Sequence, residues 1–175
     1  GHGHYHMGLI DFRSGQYEQA IQSFQKVLER EKQNQSARYW KARALEAAGA
    51  AKQLKAAKSE YEAVSRFIQK MPELERELCD VYWRIGVIKE KTYAEWNEAD
   101  TALSRYLKCS PKNAAAWFMR GQLRAKLGKL PTAIKDFERA AKLKPKMGKA
   151  YAENAFTRMR NAKYNEKAVQ SLLQR

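Results

Sequence analysis

The sequence predicts an all-α fold, a solenoid of about five antiparallel helical hairpins forming one domain over residues 1–175. Two observations predict it. First, Trp83 and Trp117, Ala99 and Ala133, and Pro111 and Pro145 each lie 34 residues apart, and a fixed period of this length marks a stack of repeated supersecondary units. Second, apolar positions within a period recur at helical spacing: Ala133, Phe137 and Ala140 fall at i, i+4 and i+7 on one face.

The first hairpin, about residues 5–33, contains GLIDFRSGQYEQAIQSFQKVLE, with Gly15 as its turn and Ala20, Phe24 and Val27 as its second apolar face. The second, about 36–71, is Ala-rich and loses the register. Ala20 to Ala99 is 79 residues, two periods plus 11, so each helix is expected to be extended by about one and a half turns. Ala37 to Ala48, a turn at Gly49 and Lys52 to Lys70 fit such an elongated pair. The third hairpin, about 73–111, carries Trp83, Trp96, Ala99, Leu103 and Pro111, and its glutamates Glu73, Glu75 and Glu77 complement the dipole of a starting helix. Val87 stands where the next unit has Gly121. The fourth, about 114–145, is AAAWFMRGQLRAKLGKLPTAIKDFERAAKLKP, with Gly128 ending its first helix and Pro145 stopping its second. The fifth, about 148–175, is read from Tyr151, Ala155, Tyr164, Ala168 and Leu172.

Trp117, Gly121, Leu127, Ala133, Phe137, Ala140 and Pro145 follow the order and spacing of the tetratricopeptide repeat, which this segment resembles closely. The first hairpin resembles it too, the third and fifth partly, and the second by position only. The resemblance implies a right-handed superhelix whose units bury their apolar faces against neighbours and leave an extended groove for a partner. It implies that the first helix of each pair lines that groove. The residues so placed are Tyr5, Leu9, Phe12 and Arg13; Arg84, Ile88 and Lys91; Phe118, Gln122 and Lys126; and Lys149, Phe156, Met159 and Arg160. Packing between hairpins is the competing role for Phe118 and Phe156. Members that grip chaperone tails use a carboxylate clamp, and its places here hold Arg84, Ile88, Met119, Lys149 and Glu153. Glu153 would repel the carboxylate, so that ligand is not expected.

Charge is distributed unevenly. Residues 1–111 hold 18 Lys and Arg against 15 Asp and Glu, whereas residues 112–175 hold 16 against 4, a net +12. Such a field attracts anionic partners and speeds their association. With aromatic and aliphatic neighbours, it suits a peptide carrying acidic and apolar side chains. Nucleic acid, RNA in particular, is the alternative partner for the basic half, although no nucleic-acid module signature is present.

Catalysis is not expected, because all three histidines lie within the first seven residues and no phosphate loop or nucleophile elbow is found. His2, His4 and His6 scatter around a helix, so no metal or other cofactor is expected. The start GHGHYHM reads either as a tag remnant or as the native opening of the first helix, and the register of Gly8 favours the latter. No apolar run reaches the roughly 20 residues of a membrane span. No secretory signal is read, which leaves a cytoplasmic location as the expectation. Cys79 and Cys109 are expected as free thiols, because packed helix axes lie about 8–10 Å apart and a disulfide needs closer Cα atoms.

Overall fold

The computed structural model describes residues 2–146, 153–154 and 156–163. The chain forms two compact units, Gly1–Ile88 and Lys89–Arg175. The first contains α1 (His2–Arg13), α2 (Tyr17–Arg30), α3 (Gln35–Ala48), α4 (Ala51–Ile68) and α5 (Pro72–Glu77). Helix α6 (Asp80–Lys91) starts in the first unit and ends in the second, which continues with α7 (Trp96–Cys109), α8 (Ala114–Lys126) and α9 (Leu130–Leu143). Residues 153–154 and 156–163 are also helical, and the rest of the expected fifth hairpin, including Lys149, Tyr151, Ala155, Tyr164, Ala168 and Leu172, lies outside the described residues.

The sequence explains where these helices start and stop. Gly15, Gly49 and Gly128 have φ of +75°, +77° and +74°, a left-handed turn that costs glycine least. Each separates the two helices of a hairpin. Ala94, 34 residues before Gly128, adopts φ +50° in the α6–α7 turn without that freedom. Asn34 and Asn113 cap the first helices α3 and α8, their side-chain oxygens accepting from the backbone N–H of Ala37 (2.9 Å) and Ala116 (3.1 Å).

The cores follow the predicted periodicity. Helix α2 buries Ala20, Phe24, Val27 and Leu28, and α9 buries Ala133, Phe137, Ala140 and Ala141. Both units use one close-packing device. A Cβ on Gly8 would lie 2.8 Å from the Phe24 ring, and one on Gly121 would lie 2.7 Å from the Phe137 ring. In each hairpin the glycine of the first helix admits a phenylalanine of the second.

Two expectations are corrected. The insertion does not lengthen both helices of the second hairpin. Helix α3 has 14 residues, the same as α2, while α4 has 18 and a separate six-residue helix, α5, follows. Pro72 at the start of α5 is the reason: it cannot continue α4 but suits a first helical turn, where Glu73 and Glu75 face the dipole. The cysteines are not free either, since both Cys79 and Cys109 are disulfide-bonded. Cys79 lies in the turn between α5 and α6 rather than on a helix, so the spacing of packed helix axes never constrained it.

Candidate partner-binding surface

In the first unit, helices α1, α3 and α6 bring aromatic and charged side chains together. Tyr5, Leu9, Phe12 and Trp40 are half-buried against the core built by α2 and α3. The rings of Phe12 and Trp40 meet edge to face at 5.4 Å, and Tyr39 and Trp40 do so at 5.6 Å. The Arg43 guanidinium lies 5.5 Å from the ring centre of Phe12, 5.6 Å from that of Trp40 and 6.0 Å from that of Tyr39. This is a cation enclosed by aromatic rings.

A polar network continues from it. The Tyr39 hydroxyl donates to Asp80 at 2.6 Å and accepts from Arg43 at 3.2 Å. Arg84 donates to the same Asp80 carboxylate at 3.0 Å and approaches Glu46 at 3.6 Å. Glu46 in turn accepts from the Tyr61 hydroxyl at 2.6 Å. Burial, and then the bond to Asp80, push the Tyr39 phenol up to about 12. Burial and the charge of Glu46 push Tyr61 up as well, and burial followed by the charge of Glu77 raises Tyr5. Burial opposes the Arg84 charge, but Asp80 and Glu46 outweigh it and hold the guanidinium above its ordinary value. The phenols therefore remain neutral donors and Arg84 remains a cation.

In the second unit, the two arginines of α8, Arg120 and Arg124, turn inward. Arg120 grips Asp136 with two bonds of 2.9 and 2.7 Å and reaches Ser104 at 3.0 Å. Its guanidinium also lies 4.8 Å from the Trp117 ring centre. Arg124 bonds Asp100 at 2.8 Å and Asp136 at 3.1 Å, and Lys129 reaches Asp100 at 3.1 Å. These pairs tie α7, α8 and α9 together, and they absorb charge that composition alone assigns to a partner.

The residues expected in the groove are distributed as follows. Arg84 is half-buried and ion-paired, whereas Ile88 is 3% exposed and offers no surface to a partner in this conformation. Lys91 is exposed. Phe118 is half-buried with its ring 5.7 Å from that of Phe137, so it serves the packing role the sequence had left open, and Gln122 is half-buried. Lys126 is exposed, paired with Glu90 at 2.7 Å and 6.0 Å from the Trp96 ring centre. Phe156 and Met159 are 53% and 64% exposed. The Arg160 guanidinium lies 5.4 Å from the Phe156 ring centre and donates to the Ala125 carbonyl at 3.3 Å. Lys149 lies outside the described residues. The sequence reading missed Tyr39, Trp40 and Arg43. The signal was Asn34, which caps α3 just as Asn113 caps α8 and restores the register of the second hairpin.

Among the described residues, no group of His, Cys, Asp and Glu could hold a metal ion, and no helix is long and apolar enough to cross a membrane.

Profiles of the tetratricopeptide repeat match residues 11–70 and 95–148, together more than half of the chain. The chain belongs to the tetratricopeptide repeat (TPR) family. No curated protein matches it in sequence. Among solved structures it is similar to the crystal structure of MamA protein, with a TM-score of 0.74 at 20% identity over 95% of this chain and 88% of that one. It is also similar to MamA 41-end from Desulfovibrio magneticus RS-1, with a TM-score of 0.73 at 18% identity over 98% of this chain and 92% of that one. YrrB, described as a TPR protein with an unusual peptide-binding site, gives a TM-score of 0.78 at 19% identity over 91% of this chain and 76% of that one. At these identities the likeness shows the fold, an all-α TPR helical repeat.

Proposed function

We propose that this TPR protein is a non-catalytic scaffold that binds a peptide or protein partner, acidic and apolar in character, on the side chains of its first helices. One observation carries the reading: α1, α3 and α6 present half-buried aromatic rings and arginines on one face of the first unit. Such a surface offers apolar area with few rotatable bonds and directed N–H donors, the two ingredients of peptide recognition. In the first unit the contact set includes Tyr5, Leu9, Phe12, Arg13, Trp40, Arg43 and Arg84, with the buried Tyr39 positioning Arg43. In the second it includes Lys91, Gln122, Lys126, Lys149, Phe156 and Arg160, with Phe118 supporting them from the core side. The scaffold reading draws on the family, whose repeats build binding surfaces. YrrB supplies a precedent for peptide binding on this fold.

The test is affinity capture from the source cell at two salt concentrations, with and without nuclease. A protein partner should survive nuclease treatment, and its binding should weaken with Lys126→Glu/Arg160→Glu. Capture that disappears with nuclease would instead make the basic half a nucleic-acid site and overturn the proposal.

A further inference from the structure

Arg43 differs from the other charged groups of the first unit's site. Asp80 is held by Tyr39 and Arg84, Glu46 by Tyr61 and Arg84, and Glu60 by Arg38 and Lys41. Arg43 donates only to the Tyr39 hydroxyl, at 3.2 Å, and its nearest carboxylate oxygen, on Asp80, is 3.9 Å away. Its remaining N–H groups have no acceptor among the described residues. Yet its side chain is only 24% exposed and sits against three aromatic faces. A guanidinium fork that is fixed, partly desolvated and largely unbonded is preorganised for a planar acceptor.

We infer that Arg43 is a specificity-determining anchor for a carboxylate side chain of a peptide ligand, and that the half-buried Phe12 and Trp40 form the shelf for an apolar residue beside that carboxylate, with the buried Tyr39 holding the guanidinium from beneath. The inference rests on the peptide-binding reading and narrows its ligand to peptides with Asp or Glu next to an aromatic or large aliphatic residue. The local charge favours a monoanion. Arg43 and Arg84 are balanced by Asp80 and Glu46, so a monoanion on the open fork leaves the cluster only one charge negative, whereas a phosphate dianion would leave it two charges negative and be repelled more strongly by both carboxylates. The Asp80 oxygen near Arg43 does not close the site, because its bonds run to Tyr39 and Arg84. Rings around the fork exclude water from it and strengthen the ion pair it forms.

A random peptide library displayed against the full chain tests this. The enriched peptides are then synthesised and titrated by fluorescence anisotropy against wild type, Arg43→Gln and Arg43→Lys. The expected consensus has an acidic residue beside an apolar one. Replacing that acid with its amide should weaken binding roughly tenfold or more. Arg43→Gln should weaken the parent peptide equally and leave the amide peptide unaffected, and Arg43→Lys should recover little because it lacks the fork. Unchanged thermal midpoints would separate these effects from unfolding. Should Arg43→Gln fail to fold, the acid-to-amide peptide pair on wild type still decides the matter. Enriched peptides lacking an acid, or bound equally well by Arg43→Gln, would overturn the inference and leave the peptide-binding scaffold intact. A library that yields no binder would overturn both.

Discussion

Replacing Gly121 with Ala should destabilise the protein, although the same change in an ordinary helix interior stabilises by roughly 0.5–1 kcal/mol. The added Cβ would meet Cε1, Cδ1 and Cζ of Phe137 at 2.7, 2.8 and 3.1 Å, and Phe137 is fully buried. The ring cannot swing into solvent, so the backbones of α8 and α9 must separate or the ring must leave its rotamer. Overpacking of this kind costs about 1–3 kcal/mol. Because Phe137 is fully buried and cannot yield, the upper part of that range, about 2–3 kcal/mol, applies, and a propensity gain of about 1 kcal/mol leaves a net loss of about 1–2 kcal/mol. For a chain of this size each kcal/mol is worth about 2–4 °C, so the thermal midpoint followed by circular dichroism should fall by about 2–8 °C. Phe137→Leu, which shortens the obstructing group, should make the second substitution cheaper, giving a coupling of about 0.5–3 kcal/mol in a double-mutant cycle. A Gly121→Ala protein as stable as wild type, or no coupling to Phe137→Leu, would refute the close approach. Gly8→Ala against Phe24 provides the same measurement in the first unit.

Asp136→Ala should cost about 3–5 kcal/mol in denaturant titration, because it strands the buried Arg120 and half-buried Arg124 guanidiniums. Ala94→Gly should raise the thermal midpoint, since a left-handed residue with a Cβ costs about 1–2 kcal/mol; a lower midpoint would show that the turn at φ +50° is not strained. The Tyr39 phenol, at about 12, lies above its unfolded value of about 10, so its contribution to stability is complete below about pH 10 and is lost as pH rises from about 10 toward 12. Tyr39→Phe should therefore flatten the decline of the thermal midpoint across that window. Denatured, unreduced protein should show no reactive thiol, and reduction should release two.

The fold was legible where one residue type has few alternatives. Gly121 and Gly8 face a ring, Gly15 and Gly128 turn the chain at φ near +75°, and Ala133 fits a closed contact. The 34-residue period that repeats those residues therefore carried the architecture. The second hairpin was less legible because the insertion blurred the period, and an insertion states how much chain is added without stating where. Pro72 stood in the sequence as the marker, but a proline can end one helix or begin another. The candidate site was less legible still. Tyr39, Trp40 and Arg43 lie in that same hairpin, and nothing in their types separates an aromatic that packs a core from one that shelters an arginine. Phe118 shows the converse: it holds a groove position by register and is half-buried against Phe137.

Charge gives the sharpest contrast between composition and structure. The net +12 of residues 112–175 suggests a uniformly basic surface, but its arginines and lysines do different work. Arg120 and Arg124 spend their forks on Asp136 and Asp100, as a planar, weakly hydrated guanidinium suits a desolvated bidentate pair. Lys112, Lys135 and Lys142 stay exposed, where a strongly hydrated ammonium costs little to keep. Exposed lysines act through the field, which extends over a Debye length of about 8 Å at physiological salt and needs no fixed contact. A fixed guanidinium such as Arg43 acts only after contact. Lys135→Glu with Lys142→Glu should therefore lower the association rate of an acidic partner and flatten its salt dependence, with the dissociation rate nearly unchanged. Arg43→Gln should do the reverse, raising the dissociation rate most. Equal effects of the two variants on both rates would mean that the lysines touch the partner directly, and the division between steering and anchoring would fail.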